Sequence, residues 1–232
     1  MAIALTLNVQ NTSTTDGTSF TTASVTWTNG VTFYVTIGCS KAASAEVPAS
    51  VTGGPSMTLI SGADSATAAG TRRCVTYRCT GDGSSGGLTI TYTGSHTGCA
   101  WIISSASGNN TAAPVIGNGV SGSGTGTALS TSGLPAFESA TNGTYIAGIT
   151  NDAGTCTADS PFFALGSQTY STPTVRLSVG WDDAEDTTPT MTAAVSCDWA
   201  CHAFEMDEVA AGGTGGAAYY FDQQRAAALS GV

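Results

Sequence analysis

The chain has 232 residues, enough to bury a core without metals or cross-links; only 9% of them are charged and 41% are apolar. Glu, Lys, Arg, Gln and Leu are scarce beside Thr, Val, Tyr, Gly and Ser, a composition that disfavours helix surfaces and suits pleated strands joined by tight turns. A net charge of −10, with Lys41 the single lysine, excludes the clustered cations that nucleic acid or an anionic membrane surface would require.

Residues 1–15 carry a short apolar run with no preceding cation and no small-residue cleavage pattern, so they read as a first strand rather than a signal peptide. Its buried candidates include Ala4, Leu5, Leu7 and Val9. No run approaches the ~20 apolar residues of a membrane helix. Synthesis in the cytosol without export is therefore the expectation. Next, "TASVTWTNGVTFYVTIG" (22–38) places Asn29-Gly30 between two β-rich runs and predicts a hairpin with a type I′ turn. That pairing would set Val25, Trp27 and Tyr34 on one face and Val31, Phe33, Val35 and Ile37 on the other. Both faces would then need cover, or the loop must be longer.

Further strands are predicted at 56–60, 72–80, 88–93, 99–106, 144–150, 173–181, 190–196 and 198–206. Gly/Ser/Asn/Asp clusters such as "GDGSSGG" and "NGVSGSGTG" read as the connections between them. About ten short strands without helical periodicity predict an all-β fold, an antiparallel β-sandwich of jelly-roll-like type, over residues 1–211. The composition breaks at the Gly-rich linker "GGTGGAA" (212–218). After it, "YYFDQQRAAALSGV" pairs three aromatics with a helix-forming run too short to stand alone, so residues 212–232 read as a linker followed either by a frayed terminus or by an interaction arm with Tyr219, Tyr220, Phe221 and Arg225 as interface candidates.

The stretch "AVSCDWACHAFEM" (194–206) has the look of a metal or redox motif. On an extended strand, however, Cys197 and Cys201 share one face roughly 13 Å apart at ~3.3 Å per residue, too far to hold one zinc ion. Cys74 and Cys79 differ by an odd number of positions and fall on opposite faces. Cys99 could pair with His96 as an activated thiolate, but a turn followed by a strand with a small buried cysteine is the simpler reading. No nucleophile elbow occurs, and an enzyme is not expected. Asp182, Asp183, Glu185 and Asp186 are oxygen ligands of the kind calcium takes, in a segment without an EF-hand register, and such a loop is ordinarily a solvated turn; otherwise no cofactor is indicated. Arg72, Arg73 and Arg78 hold half of the six cations, either as a solvated edge that blocks sheet-to-sheet aggregation or as a docking patch for another subunit. A protein made in the cytosol that works after lysis could oxidise its thiols, so Cys39, Cys74, Cys79, Cys99, Cys156, Cys197 and Cys201 are all disulfide candidates across strands or subunits.

The strings "GCAWIISSASGNNTAAPVI" (98–116), "NGTYIAGITND" (142–152), "SPFFALGS" (160–167) and residues 173–206 follow one another in an order that resembles the Gly/Thr-rich jelly-roll-like structural proteins of tailed bacteriophages. The resemblance covers roughly residues 88–206 and carries no active-site residues. It implies a virion protein: a capsid decoration or cement protein, or else a collar or fibre component. Such a protein would act as a homo-oligomer, for instance a trimer, bound to other virion proteins such as the major capsid protein, with no nucleic acid or membrane partner. Cys197 and Cys201 stand where that group has small residues. The alternative is a carbohydrate-binding or adhesive module with Trp and Tyr exposed on a jelly-roll face.

Overall fold

Strand β4 (Thr32–Ser40) organises the molecule because all nine of its residues are buried. Alternation sends Phe33, Val35, Ile37 and Cys39 into one apolar cluster and Tyr34 into another on the opposite side. A strand can be apolar on both faces only as part of a middle layer. Here β4 lies at the centre of a five-stranded antiparallel sheet with β1 (Ala4–Ser13), β10 (Gly98–Ser107), β7 (Arg72–Thr80) and β6 (Thr58–Ala66), in the order β1-β10-β4-β7-β6. The computed structural model describes residues 2–209, which contain sixteen strands and no helix.

A second antiparallel sheet packs on the Tyr34 side. It is made of β11 (Val115–Ser130), β16 (Thr190–Met206), β12 (Gly143–Thr150), β15 (Val175–Asp182) and β14 (Phe163–Tyr170), with β13 (Cys156–Ala158) added to β16. The two sheets form a β-sandwich whose core centres on Tyr34, Tyr145 and Phe204, the last two stacked at 4.6 Å. The other face of the central sheet is covered by β2 (Gly17–Thr21), β9 (Thr89–His96) and β5 (Ser50–Thr52), and by the ribbon of β3 (Val25–Thr26) with β8 (Ser85–Gly86). Trp27 stands edge-on to Phe33 at 5.0 Å in this second core.

This third layer explains why the expected hairpin does not form. Trp27 and Phe33 enter the same core from different layers, so the chain crosses from the cover to the central sheet at Asn29-Gly30 and the two runs stack instead of pairing. Gly30 alone adopts a positive φ, of 71°, whereas a type I′ turn needs it at both central residues. Strand β3 pairs with β8, and Gly30 and Gly81 close the crossing through hydrogen bonds from Gly30 N to Gly81 O and from Gly81 N to Val31 O. In β1, a register shift between Leu7 and Val9 sends Leu5 and Leu7 to the sandwich core and Val9 to the cover core, while Ala4 is exposed.

The run "NGVSGSGTG", expected as a loop, lies inside the 16-residue strand β11. Strands β11 and β16 form a long ribbon that bends back on itself: register shifts set Gly126 opposite Cys197 and Ala128 opposite Thr192. Beyond the bend, Leu129 and Met191 lie over Gly148 of β12 and seal a third apolar cluster on the outer face of the second sheet. Gly122 and Gly124 make this possible. A Cβ at Gly122 would lie 2.1 Å from the returning Ser130 O, and one at Gly124 would lie 2.9 Å from the Trp199 ring.

Candidate functional site

The closing strand β16 is extended through 197–206, and its alternation sorts the motif by face. Cys197, Trp199, Cys201 and Ala203 enter the outer cluster; Ala200, Phe204 and Met206 enter the sandwich core. His202 shares the inner face and joins a chain of hydroxyls that crosses between the sheets. Its Nε2 lies 2.8 Å from Thr76 Oγ1, Thr76 Oγ1 is 2.7 Å from Thr36 Oγ1, and Thr36 Oγ1 is 2.7 Å from the Tyr145 hydroxyl. On the other side, Nδ1 lies 3.3 Å from Ser65 Oγ, which donates to Cys74 O. Burial pushes the His202 imidazole down to about 4, so it is neutral at neutral pH. An imidazole beside two hydroxyls is a nucleophile–base geometry, but Thr36, Thr76, Tyr145 and His202 have no exposed surface. As placed, the chain fastens β4 and β7 to β12 and β16.

His96 is occupied in another way. Its Nε2 accepts the Glu46 N–H at 3.1 Å, its Nδ1 donates to Gly94 O at 3.0 Å, and its ring lies 3.9 Å from that of Tyr92. Both nitrogens are therefore used, and Cys99 bonds elsewhere, its Sγ 3.8 Å from the Tyr92 hydroxyl.

The disulfide expectation is corrected. Cys39, Cys74, Cys79, Cys99, Cys156, Cys197 and Cys201 are all free, buried thiols. Cys39 and Cys99 are register partners on β4 and β10, yet Cys39 Sγ turns to Glu46 O. Cys74 fills the sandwich core and Cys79 the cover core, as their odd separation requires, while Cys156 joins Cys197 and Cys201 in the outer cluster. These sulfurs pack as small apolar groups. Burial pushes the thiols of Cys39, Cys79, Cys156 and Cys201 up to about 12, which suppresses the thiolate that disulfide chemistry needs.

The acidic loop is a hydrogen-bonded turn. Thr144 Oγ1 donates to Ala184 O and accepts from Asp186 N; Glu185 Oε1 accepts Phe137 N, and Asp186 Oδ1 accepts Thr188 N. Asp182 is buried, which raises its carboxyl above the ordinary range. Among the described residues, Asp182, Asp183, Glu185 and Asp186 included, no three His, Cys, Asp or Glu side chains converge on a metal position. A second buried carboxylate is Glu205, which accepts Asn142 Nδ2 at 2.6 Å and Glu138 N at 3.1 Å beside a cavity of about 160 Å³.

The arginines do not mark a sheet edge, because β7 lies between β4 and β6. Arg73 turns to the cover layer and forks the Asp64 carboxylate at 2.6 and 2.8 Å. Arg72 turns to the sandwich side, where Nε and Nη2 donate to Thr174 O and Nη1 to Thr71 Oγ1. Arg78, half-buried, follows Arg72 in the strand's alternation, so the three cations divide between two faces rather than forming one patch. Tyr219, Tyr220, Phe221 and Arg225, with the rest of the 212–232 arm, lie outside the described residues. Trp27, Trp101 and Trp199 are buried; Trp181 is partly buried with the half-exposed Phe163 ring 5.0 Å away.

In comparisons with known proteins, the chain matches no family model, no curated protein and no solved structure.

Proposed function

We propose that the chain is a non-enzymatic structural protein of a tailed-bacteriophage virion, a decoration or cement protein that works as a homo-oligomer on the major capsid protein. The observation that carries the reading is where the reactive side chains lie: both histidines and all seven thiols are buried inside stacked β layers. The long ribbon strand β11, by contrast, turns Ser121, Ser123, Thr125 and Thr127 outward. Such a body offers shape, backbone and hydroxyls to a partner. Together with the order of strings over 98–206, it fits a particle component. Quantitative mass spectrometry of purified particles tests this: a fixed copy number, and genome release at lower temperature when the protein is omitted, are expected. Particles without the chain would overturn it.

The carbohydrate-binding alternative draws on one feature, the Phe163 ring beside Trp181 on adjacent strands. Stacking of a sugar there would change Trp181 fluorescence in the wild type and not in Phe163→Ala. An unchanged signal across a panel of host-surface polysaccharides would remove that reading.

A further inference from the structure

Two of the chain's six cations border one cleft. It has a volume of about 250 Å³ and is lined by Lys41, Ala42, Thr71, Arg72, Thr97 and Pro173, with a wall almost wholly of carbon. It sits where strand ends of both sheets meet: Lys41 follows β4, Arg72 begins β7, Thr97 joins β9 to β10, and Pro173 joins β14 to β15. The two cations differ in how they are satisfied. Lys41 pairs with Glu46. Arg72 is partly buried, and its donors end on the neutral oxygens of Thr174 and Thr71; Asp198 is close enough to feel its charge without forming an ion pair. Three of its five N–H groups are used, and one on each Nη is left, the pair that grips a carboxylate side by side. An apolar niche with an unmatched guanidinium on its rim suits an aromatic side chain next to a carboxylate.

The chain contains such a segment. Tyr219, Tyr220 and Phe221 are followed directly by Asp222, and the cleft has no other occupant among the described residues. We propose that the Tyr219–Asp222 segment of a second copy of this chain docks in this cleft, an aromatic ring seated against Ala42 and Pro173 and the Asp222 carboxylate paired with Arg72.

The reach of the arm permits exchange between copies, and the homo-oligomer reading selects it over docking within one. The described chain ends at Val209, whose N–H donates to Gly108 O, near Asn109 and Pro114, which hold the Tyr34 hydroxyl. From Tyr34 to Ser40, beside the cleft, β4 runs six residues, ~20 Å. Ten Cα steps from Val209 to Tyr219 span at most ~35 Å, enough for the segment to pass beyond its own body to a neighbouring copy. A neighbour's cleft can lie well inside that reach. Arms exchanged head to tail would close a ring if the rotation permits.

This inference rests on the homo-oligomer part of the proposed function and gives it a site. The test is sedimentation velocity of the full chain over a range of concentrations. Wild type is expected to self-associate; Asp222→Asn, the double variant Tyr220→Ala/Phe221→Ala, and Arg72→Gln should each weaken association about tenfold or more, the size of one good ion pair or anchor. The exchanged pair Arg72→Asp with Asp222→Arg should recover it. Far-UV circular dichroism of each variant that matches wild type shows that the layers are still folded, so that a weakened association is read as a lost contact. Unchanged association in Asp222→Asn and the aromatic double variant overturns the docking, as does a wild type that stays monomeric throughout. The experiment contains no particle, so either negative result leaves the virion reading to its own test.

Discussion

At the scale of single residues, His202 shows how the fold determines chemistry. An unfolded imidazole takes its proton near 6.5, whereas the folded one does so only near 4, because burial removes the solvent that would stabilise its charge. Between those values the unfolded chain binds more protons than the folded one. The stability contributed by neutral His202 is therefore complete above pH 6.5 and is lost as the pH falls toward 4. Urea unfolding at pH 7 and pH 4 should show wild type losing up to about 3 kcal/mol more than His202→Gln, which retains polar atoms for Thr76 and Ser65. The comparison between variants is needed because the raised carboxyls of Asp182 and Glu205 act in the opposite direction. Equal losses would show that His202 is not held neutral. The thiols give a second measurement. Raised by burial, all seven should resist a disulfide reagent in the native chain and react only in denaturant, with identical mobility on reducing and non-reducing gels. Rapid reaction of any thiol in the native chain would contradict this packing.

At the scale of elements, the ribbon of β11 and β16 depends on residues without side chains. Gly122→Ala would drive a Cβ against the backbone oxygen of Ser130, which cannot swing away, at an expected cost of roughly 2–3 kcal/mol. Gly124→Ala meets only the edge of the Trp199 ring, which can tilt, and should cost about 1 kcal/mol. Ser123, between them and exposed, should tolerate alanine within about 0.5 kcal/mol. Thermal unfolding of the three variants checks the order, and equal effects would mean that the ribbon does not return over the sheet. Here too lies the reason the strand was illegible. Gly, Ser and Thr in alternation carry no hydrophobic period, and glycine is the residue of turns. Only the returning chain makes glycine the necessary choice on one face. By the same logic "RRCVTYRCT" was legible to the residue, since 72–80 is β7, while its place inside the sheet rather than at the edge was not.

At the scale of the whole molecule, β4 belongs to two cores at once, so the layers should unfold together. Fluorescence from Trp27 and Trp101 in the cover core and from Trp199 in the outer cluster, followed in single-Trp variants, should give transitions coincident with far-UV circular dichroism. Separate midpoints would show that the cover layer is an independent unit. Some of this architecture was carried by composition and local pattern. Low charge, abundant Thr and Val, turn residues between β-rich runs and strict alternation in 197–206 are local properties, and they determined an all-β antiparallel sandwich and the two faces of the closing strand. The partners of those faces were a different matter. Which strand Val25 pairs with, whether two opposed cysteines bond, and which hydroxyls meet His202 depend on residues 40 to 137 positions apart brought together by packing, as in Thr36–Thr76 and Ser65–His202. Alternation along one strand assigns a side chain to a face; only the layer stacked on that face decides what it meets there, and so whether a thiol, an imidazole or an arginine is a reactive group, a fastening or a docking point.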